Sequence, residues 1–393
     1  MPMEILFFVL LGIVFYTYLG YGVLLTVLVK IKRLFRKKVV SFDSSFLPTV
    51  SFIVPCYNER DVVEDKLKNC LGLDYPKEKL EIIFITDGST DGTDELVAQF
   101  EGVKLLHEDK RGGKSAAENR SISHAVGEII VFSDANTELP VDALRNIVRH
   151  YNNPKIGAVS GEKRIAKKEL DNASGAGEGI YWKYESFLKR MDVELYSLVG
   201  AAGELFSFRK ELFIELESDT ILDDFMLSMR IAGDGYIVTY DPEAYAMETA
   251  SASVKEELKR KVRICAGGWQ AMARLAYLLN PFKNFVLWFQ YVSHRVLRWS
   301  ITPVCLLLLV PVNLVLVAQT CNLTFYHIAL LGQIIFYIAA ITGWVLANKE
   351  IKVKVLYVPY YFLIMNYAVI AGFFRYISKS QAAAWERSTR AKK

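Results

Sequence analysis

Val131-Phe132-Ser133-Asp134-Ala135-Asn136-Thr137-Glu138 is the stretch on which the reading of this chain turns. A run of β-forming apolar residues, Ile129 to Phe132, stops abruptly at Asp-Ala-Asn. Pro140 and a helical pattern from Asp142 to Tyr151 follow. A carboxylate at the carboxyl end of a buried strand sits where open α/β sheets bind ligands. The side-chain oxygens of Asp134 and Asn136 can reach one hard cation, and such a cation can hold a diphosphate. Taken alone, an ordinary strand end closed by an Asx turn explains the stretch equally well. The decision rests on its surroundings.

Outward from that stretch, strand and helix alternate from Pro48 to about Tyr240. The strands are expected at Val50–Val54, Glu81–Thr86, Val103–His107, Ile129–Ser133 and Ile156–Ser160. Helical patterns occupy Asp61–Cys70, Thr93–Phe100, Gly113–Ala125 and Asp142–Tyr151. Short apolar strands separated by helices argue for an α/β domain with a mostly parallel sheet covered on both faces. No GxGxxG follows the first strand, which sets aside the dinucleotide fingerprint. The first strand runs instead into Pro55-Cys56-Tyr57-Asn58-Glu59-Arg60. The second runs into Asp87-Gly88-Ser89-Thr90-Asp91-Gly92-Thr93.

Further out, the chain turns apolar. Of its 393 residues 52% are hydrophobic, and the mean hydropathy is +0.21, high for a purely soluble protein. Ile5 to Val29 contain no Asp, Glu, Lys or Arg, long enough for a membrane helix of about 20 residues. The run is too long for a cleaved signal peptide, and no small-residue cleavage site follows it. Lys30 to Lys38 then bring six basic residues in nine, the mark of a cytoplasmic flank. Lys255 to Arg298 mix basic residues with Trp269, Trp288 and Trp299 at helical spacing, as helices in a membrane interface do. Trp299 to Asn348 are again free of charge and fit two spans. Val355 to Phe374 form a further charge-free run. The expected division is a membrane helix at 1–30, a basic linker at 31–47, the α/β domain at 48–252, interfacial amphipathic helices at 253–298, membrane segments at 299–375 and a basic tail at 376–393. Four full spans would put both termini opposite the α/β domain, whereas the tail's Arg and Lys residues favour its side. A re-entrant or interfacial course for Val355–Phe374 is the alternative. The net charge of +4 is modest, and its clustering beside apolar runs suits a bilayer surface and not nucleic acid. Five widely spaced cysteines form neither a disulfide framework nor a CxxC metal pattern.

Five motifs stand in a specific order: Pro55-Cys56-Tyr57-Asn58-Glu59, Asp87 to Thr93, Arg111-Gly112-Gly113-Lys114, Ser133-Asp134-Ala135-Asn136 and Leu222-Asp223-Asp224. In this order they resemble the family-2 nucleotide-sugar glycosyltransferases, most closely the membrane-anchored branch that makes cellulose, hyaluronan and poly-N-acetylglucosamine. The resemblance implies a GT-A-like fold with a Rossmann-like nucleotide-binding sheet, plus transmembrane and interfacial α-helices. It implies a UDP-sugar donor held by Pro55, Tyr57, Glu59, Asp87, Lys114, Asp134 and Arg263, with Mg²⁺ or Mn²⁺ as cofactor on Asp134 and Asn136. It points to Asp224 as the general base, with Asp223 in the Glu position of the family's Glu-Asp pair. Gly203 and Glu204, in Gly200-Ala201-Ala202-Gly203-Glu204, resemble the acceptor-side loop. The implied chemistry is inverting, at the inner cell membrane, in a multi-pass protein whose catalytic domain faces the cytoplasm. The acceptor is a polysaccharide or a lipid. Three carboxyl-terminal segments make a thin channel, which leaves room for a partner subunit in export.

The physics of the motifs agrees. Gly112 and Gly113 let backbone come close to a ligand, and Lys114 pairs with phosphate as a point charge. Leu222-Asp223-Asp224 opens an amphipathic helix, Phe225 to Ile231, whose N-terminus favours ionised carboxylates. Two positions depart from the family pattern. Asn136 replaces a second Asp and brings no charge. In the family's Gln-x-x-Arg-Trp motif, Arg263 is kept but Ile264 replaces the sugar-stacking Trp; Trp269, five residues on, is the candidate substitute. The readings that compete are a polyprenyl-phosphate or glycolipid glycosyltransferase and, from another class, a non-catalytic nucleotide-sensing membrane subunit.

Overall fold

The computed structural model describes residues 2–35, 45–165, 173–249, 254–320, 322–349, 351 and 353–379. Most of the basic linker (36–44) and of the basic tail (380–393) lies outside the described residues.

The chain opens with a long apolar helix, α1 (Pro2–Phe35), interrupted by a π-helical turn at Tyr16–Gly20. The α/β domain follows as β1 (Val50–Cys56), α2 (Arg60–Leu71), β2 (Leu80–Asp87), α3 (Thr93–Val97), β3 (Lys104–Glu108), α4 (Lys114–His124), β4 (Ile129–Ser133), α5 (Ala143–Val148), β5 (Ile156–Ile165), α6 (Ala173–Leu195), β6 (Leu205–Arg209), α7 (Asp223–Gly233) and β7 (Ile237–Glu248). The five expected strands and four expected helices are therefore present. Several ends differ: β1 runs on to Cys56 and β5 to Ile165, α3 stops three residues early, and a 3-10 turn at Arg149–Asn152 replaces the last turn expected after α5. The strands form a seven-stranded sheet in the order β3-β2-β1-β4-β6-β5-β7. Pairing is parallel except at β6, which runs antiparallel to both neighbours, β4 and β5.

β1 is buried along its whole length, because helices cover both faces of the sheet. Alternate residues feed two cores: Ile53, Ile83 and Phe132 on one side, Phe52, Phe84 and Val131 on the other. This is the burial pattern of a central parallel strand and explains why its sequence is a continuous apolar run. The described cysteines Cys56, Cys70, Cys265 and Cys305 are free and buried.

Beyond the sheet come the amphipathic α8 (Val254–Arg274), the short α9 (Phe285–Tyr291), a second π turn at Val292–Val296, and three apolar helices: α10 (Ile301–Ala318), α11 (Phe325–Asn348) and α12 (Lys354–Ile377). Together with α1 these make four helices long and apolar enough to cross a membrane. Val355–Phe374 is continuous helix despite Pro359. Its carboxyl-terminal half packs on α8: a side chain on Gly372 would strike Cys265 and the backbone of Ala266, and Phe373 lies against Trp269. The end of the fourth apolar helix thus lies beside the amphipathic helix that flanks the α/β domain.

Candidate active site

The carboxyl ends of β1, β2 and β4 share one edge of the sheet, since their registers run in parallel. The residues that follow them, together with the turn before α4, line a cleft of Pro55, Cys56, Tyr57, Asp87, Arg111, Gly113, Lys114 and Ala117. Asp87 accepts hydrogen bonds from the backbone N–H of Gly112 (2.9 Å) and Gly113 (2.6 Å) and from Arg120 (3.0 Å). It therefore ties the Arg111–Lys114 turn to the end of β2. Gly113 holds φ at 93°, in the region that favours glycine, and this sharp turn aims α4 at the cleft. The Arg111 guanidinium lies 3.7 Å from the centre of the Tyr57 ring, a cation–π contact that holds the Arg111–Lys114 turn against the end of β1. Glu59 is buried and caps α2 with its carbonyl, which accepts from Val62 and Val63.

Behind the cleft lies a compact charge cluster. Lys114 Nζ is 3.2 Å from Asp134 and 3.1 Å from Asp223. Burial alone would lower the Lys114 pKa, but the surrounding carboxylates outweigh it and hold the ammonium well above its usual range. The Asp134 carboxyl is pushed up by burial, with Lys114 opposing. Asp223 is depressed despite burial, through Lys114. Asp224 is raised to about 7, first by burial and then by the charge of Asp223. Asp223 and Asp224 are the first residues of α7, and Asp224 Oδ1 accepts from the Phe225 N–H at 2.8 Å. Gly203 passes so close that a Cβ there would stand 3.2 Å from Asp224 Oδ2 and 3.5 Å from Lys114 Nζ. A side chain there would press on the Asp224 carboxylate, which glycine lets the 200–204 loop approach without crowding.

The Ser133–Glu138 turn is braced from below. Lys66, fully buried on α2, donates to Ser133 Oγ (2.8 Å), to the Thr137 carbonyl (2.9 Å) and to Thr137 Oγ1 (3.1 Å). Asn136 Nδ2 donates to Glu248 at 3.2 Å, which fixes the amide so that its oxygen faces the other way. That oxygen is buried and has no protein donor. An orphaned amide oxygen two residues from Asp134 in the same turn fits a hard divalent ion, which takes few protein ligands and completes its shell with phosphate oxygens and water. Among the described residues no group of three His, Cys, Asp or Glu side chains is placed to hold a metal, so the fit rests on this two-residue set.

Arg263, on α8, is half-buried, and the carboxylates whose charges act on it are Asp223, Asp134 and Asp224; α8 therefore carries it to the cluster. Glu204 is held by Lys163 at 2.8 Å, and despite burial that ammonium brings its pKa down to about 2. Trp269 lies on another face of α8 from Arg263. Its ring stands on Phe373 at 4.7 Å, because six residues beyond Arg263 on a helix is about 240° round the axis. Sequence reasoning missed Lys66, Glu118, Lys163 and Glu248. Lys66 alone left a signal there, as a lysine within the apolar stripe of a helix.

The comparisons with known proteins agree with this geometry. Residues 51–217 match the model of Glycosyl transferase family 2. A poly-beta-1,6-N-acetyl-D-glucosamine synthase of Staphylococcus epidermidis is 28% identical over 296 residues, 71% of this chain and 69% of that protein. The enzyme of the same name from Staphylococcus aureus strain MSSA476 is 30% identical over 263 residues, 64% of this chain and 62% of its own length. Among solved structures, a mannosyltransferase from Pyrobaculum calidifontis in complex with GDP-Man and Mn²⁺ superposes with a TM-score of 0.73. It is 25% identical and covers 96% of this chain and 100% of its own. Motifs, sheet and relatives converge: residues 51–217 form a glycosyl transferase family 2 domain, and the chain is a glycosyltransferase.

Proposed function

We propose that the chain transfers a sugar from a UDP-sugar to a hydroxyl of a polysaccharide or lipid-linked acceptor, with Asp224 as general base and inversion at the sugar. The position of Asp224 carries the reading. It stands at the head of α7, against the Gly203 loop and beside the Lys114–Asp134 pair, with a pKa of about 7, where a base is both ionised and strong enough to act.

In this reading Pro55, Tyr57, Glu59 and Asp87 hold the nucleoside, and Lys114 and Arg263 face its diphosphate. Asp134 and Asn136 would hold Mg²⁺ or Mn²⁺, which neutralises charge on the leaving diphosphate. Asp224 takes the acceptor hydroxyl's proton while that oxygen forms a bond to the anomeric carbon. The carbon–oxygen bond to the diphosphate breaks, and its electrons leave with the nucleotide. A single in-line displacement with one base leaves no covalent intermediate. Gly203 and Glu204 border the acceptor; Trp269 is left out, since it faces α12. The four apolar helices hold this site at a bilayer, with the catalytic domain in the cytoplasm.

A second reading of the donor is supported by the likeness along the whole chain to a mannosyltransferase solved with GDP-Man. Ile264 in place of the stacking Trp favours single or short transfers to a lipid acceptor over long polymer. One experiment separates these. The purified full chain with Mn²⁺ is offered UDP-N-acetylglucosamine, other UDP-sugars and GDP-mannose, and nucleoside diphosphate release is measured with product sizing. UDP release, lost in Asp224→Asn, is expected. GDP release in its place would transfer the donor assignment to the second reading. Near-normal turnover in Asp224→Asn would remove the base role.

A further inference from the structure

Glu118 lies in the same charge cluster, and nothing in the mechanism above uses it. It sits one turn beyond Lys114 on α4 and is 1% exposed. Its Oε1 is 3.7 Å from Lys114 Nζ. Its carboxyl meets that of Asp223, and neither Glu118 oxygen has a protein donor. Lys114 is already nearer to two other carboxylates, Asp134 and Asp223. A third buried negative charge on one ammonium is strongly unfavourable where water is excluded. The carboxyl with the poorest partner is then the one that keeps its proton. A protonated carboxyl facing a carboxylate is a hydrogen-bond donor.

We propose that Glu118 is a positioning residue: a buried neutral acid whose O–H is directed at Asp223, so that Asp223 stays anionic, Lys114 stays between Asp223 and Asp134, and Asp224 is left as the member of the pair that exchanges a proton. This rests on the reading of Asp224 as the base. The charged groups facing the cluster are Lys114 and Glu118 on α4, Asp134 on β4, Glu204 on the acceptor loop, Asp223 and Asp224 on α7, Arg263 on α8 and Lys189 on α6. Among them Glu118 is the acid that meets Asp223 and is itself shut off from solvent. The i,i+4 spacing from Lys114 puts the two side chains on one face of α4, so both reach the carboxylates at the head of α7.

The test compares Glu118→Gln and Glu118→Leu in the full-length membrane protein. Diphosphate release is followed from pH 5 to pH 9 with whichever sugar nucleotide supports turnover. Gln keeps a neutral donor toward Asp223 and should retain the parent's turnover to within about threefold and the parent's acidic limb. Leu removes the donor. The Asp223–Asp224 pair then holds its last proton to higher pH, so the acidic limb should move up by about one unit or more, and turnover at pH 7 should fall about fivefold or more with it. A folded Leu variant with the parent's limb would reduce Glu118 to packing and overturn the proposal. So would a Gln variant whose limb is displaced, since an ionised Glu118 would then be required; that arm decides alone if Leu does not fold. Full turnover in Asp224→Asn would instead remove the base reading and this inference with it, whatever the Glu118 variants do.

Discussion

Asp224 is a carboxylate in a place hostile to carboxylates. Burial and the neighbouring Asp223 raise it to about 7, so below that pH it carries a proton and cannot accept another. The pH dependence has a definite sign: kcat/KM, which reports the free enzyme, should rise with pH through about 7 as Asp224 ionises. A limb near pH 4 would mean that the group is not raised. Asp224→Asn should lower turnover by about 10²–10⁴-fold and leave nucleotide affinity intact, as read by calorimetric titration with UDP. The metal pair makes its own prediction. Asp134→Ala removes the set's charged ligand and should abolish the gain in UDP affinity that Mn²⁺ brings; equal affinity with and without Asp134 would take the metal away from this stretch. Asn136→Asp sets a carboxylate where an amide now donates to Glu248 at 3.2 Å. Two acids at that distance repel unless a cation lies beside them. The variant should bind metal more tightly, and its melting temperature should depend on Mn²⁺ more steeply than the parent's.

Among the elements, α8 shows what a helix can and cannot carry to a site. Its period brings Arg263 to the carboxylates and sends Cys265 and Trp269 to α12. The sugar platform that Trp supplies in the resembling synthases is Ile264 here, one step round from Arg263. A stacked ring holds a sugar through buried apolar area, about 25 cal/mol per Å², and so retains product between cycles. Ile264→Trp should therefore lengthen products or slow their release, read by mass spectrometry of the glycan or lipid product. Long polymer from the unaltered chain would show that another aromatic does this work. The strands of the first half were legible as apolar runs because they are buried on both faces. β6 and β7 were not marked. β6 is five residues long, and only its insertion between β4 and β5 makes it a sheet member.

Across the whole molecule, the catalytic and membrane parts are joined by a buried ionic cluster. Glu185 on α6 pairs with Arg295 and Arg298, and Asp192, about two turns on along the same face of α6, accepts from Tyr21 of α1, from Gln290 and from His294 at 2.6 Å. Arg295 also donates to the carbonyl of Val199 at 3.2 Å, just ahead of the acceptor loop. The two π turns meet here, Tyr16 bonding Ser293 at 2.7 Å; such turns widen a helix locally and recur at functional joints. Removing one partner of a buried ion pair strands the others, at about 3–5 kcal/mol. Glu185→Leu strands two guanidinium groups at once and should lower the thermal stability of the detergent-solubilised protein by that order. An unchanged melting temperature would show that this joint does not hold the two parts together.

The sequence by itself determined the α/β class, the order of the motifs, the strand-end placement of Asp134 and the apolar helices. Each of these is a property of consecutive residues: a period of burial, a turn residue, a run without charge. Tertiary structure decided which distant residues meet. It set Glu118 against Asp223, Lys163 between Glu204 and Glu248, Lys66 beneath the Ser133–Thr137 turn and Trp269 against α12 instead of the site. These contacts depend on how elements far apart in the chain pack and rotate against each other. A helix that turns 100° per residue writes into its sequence which residues share a face, and leaves to packing what that face will touch.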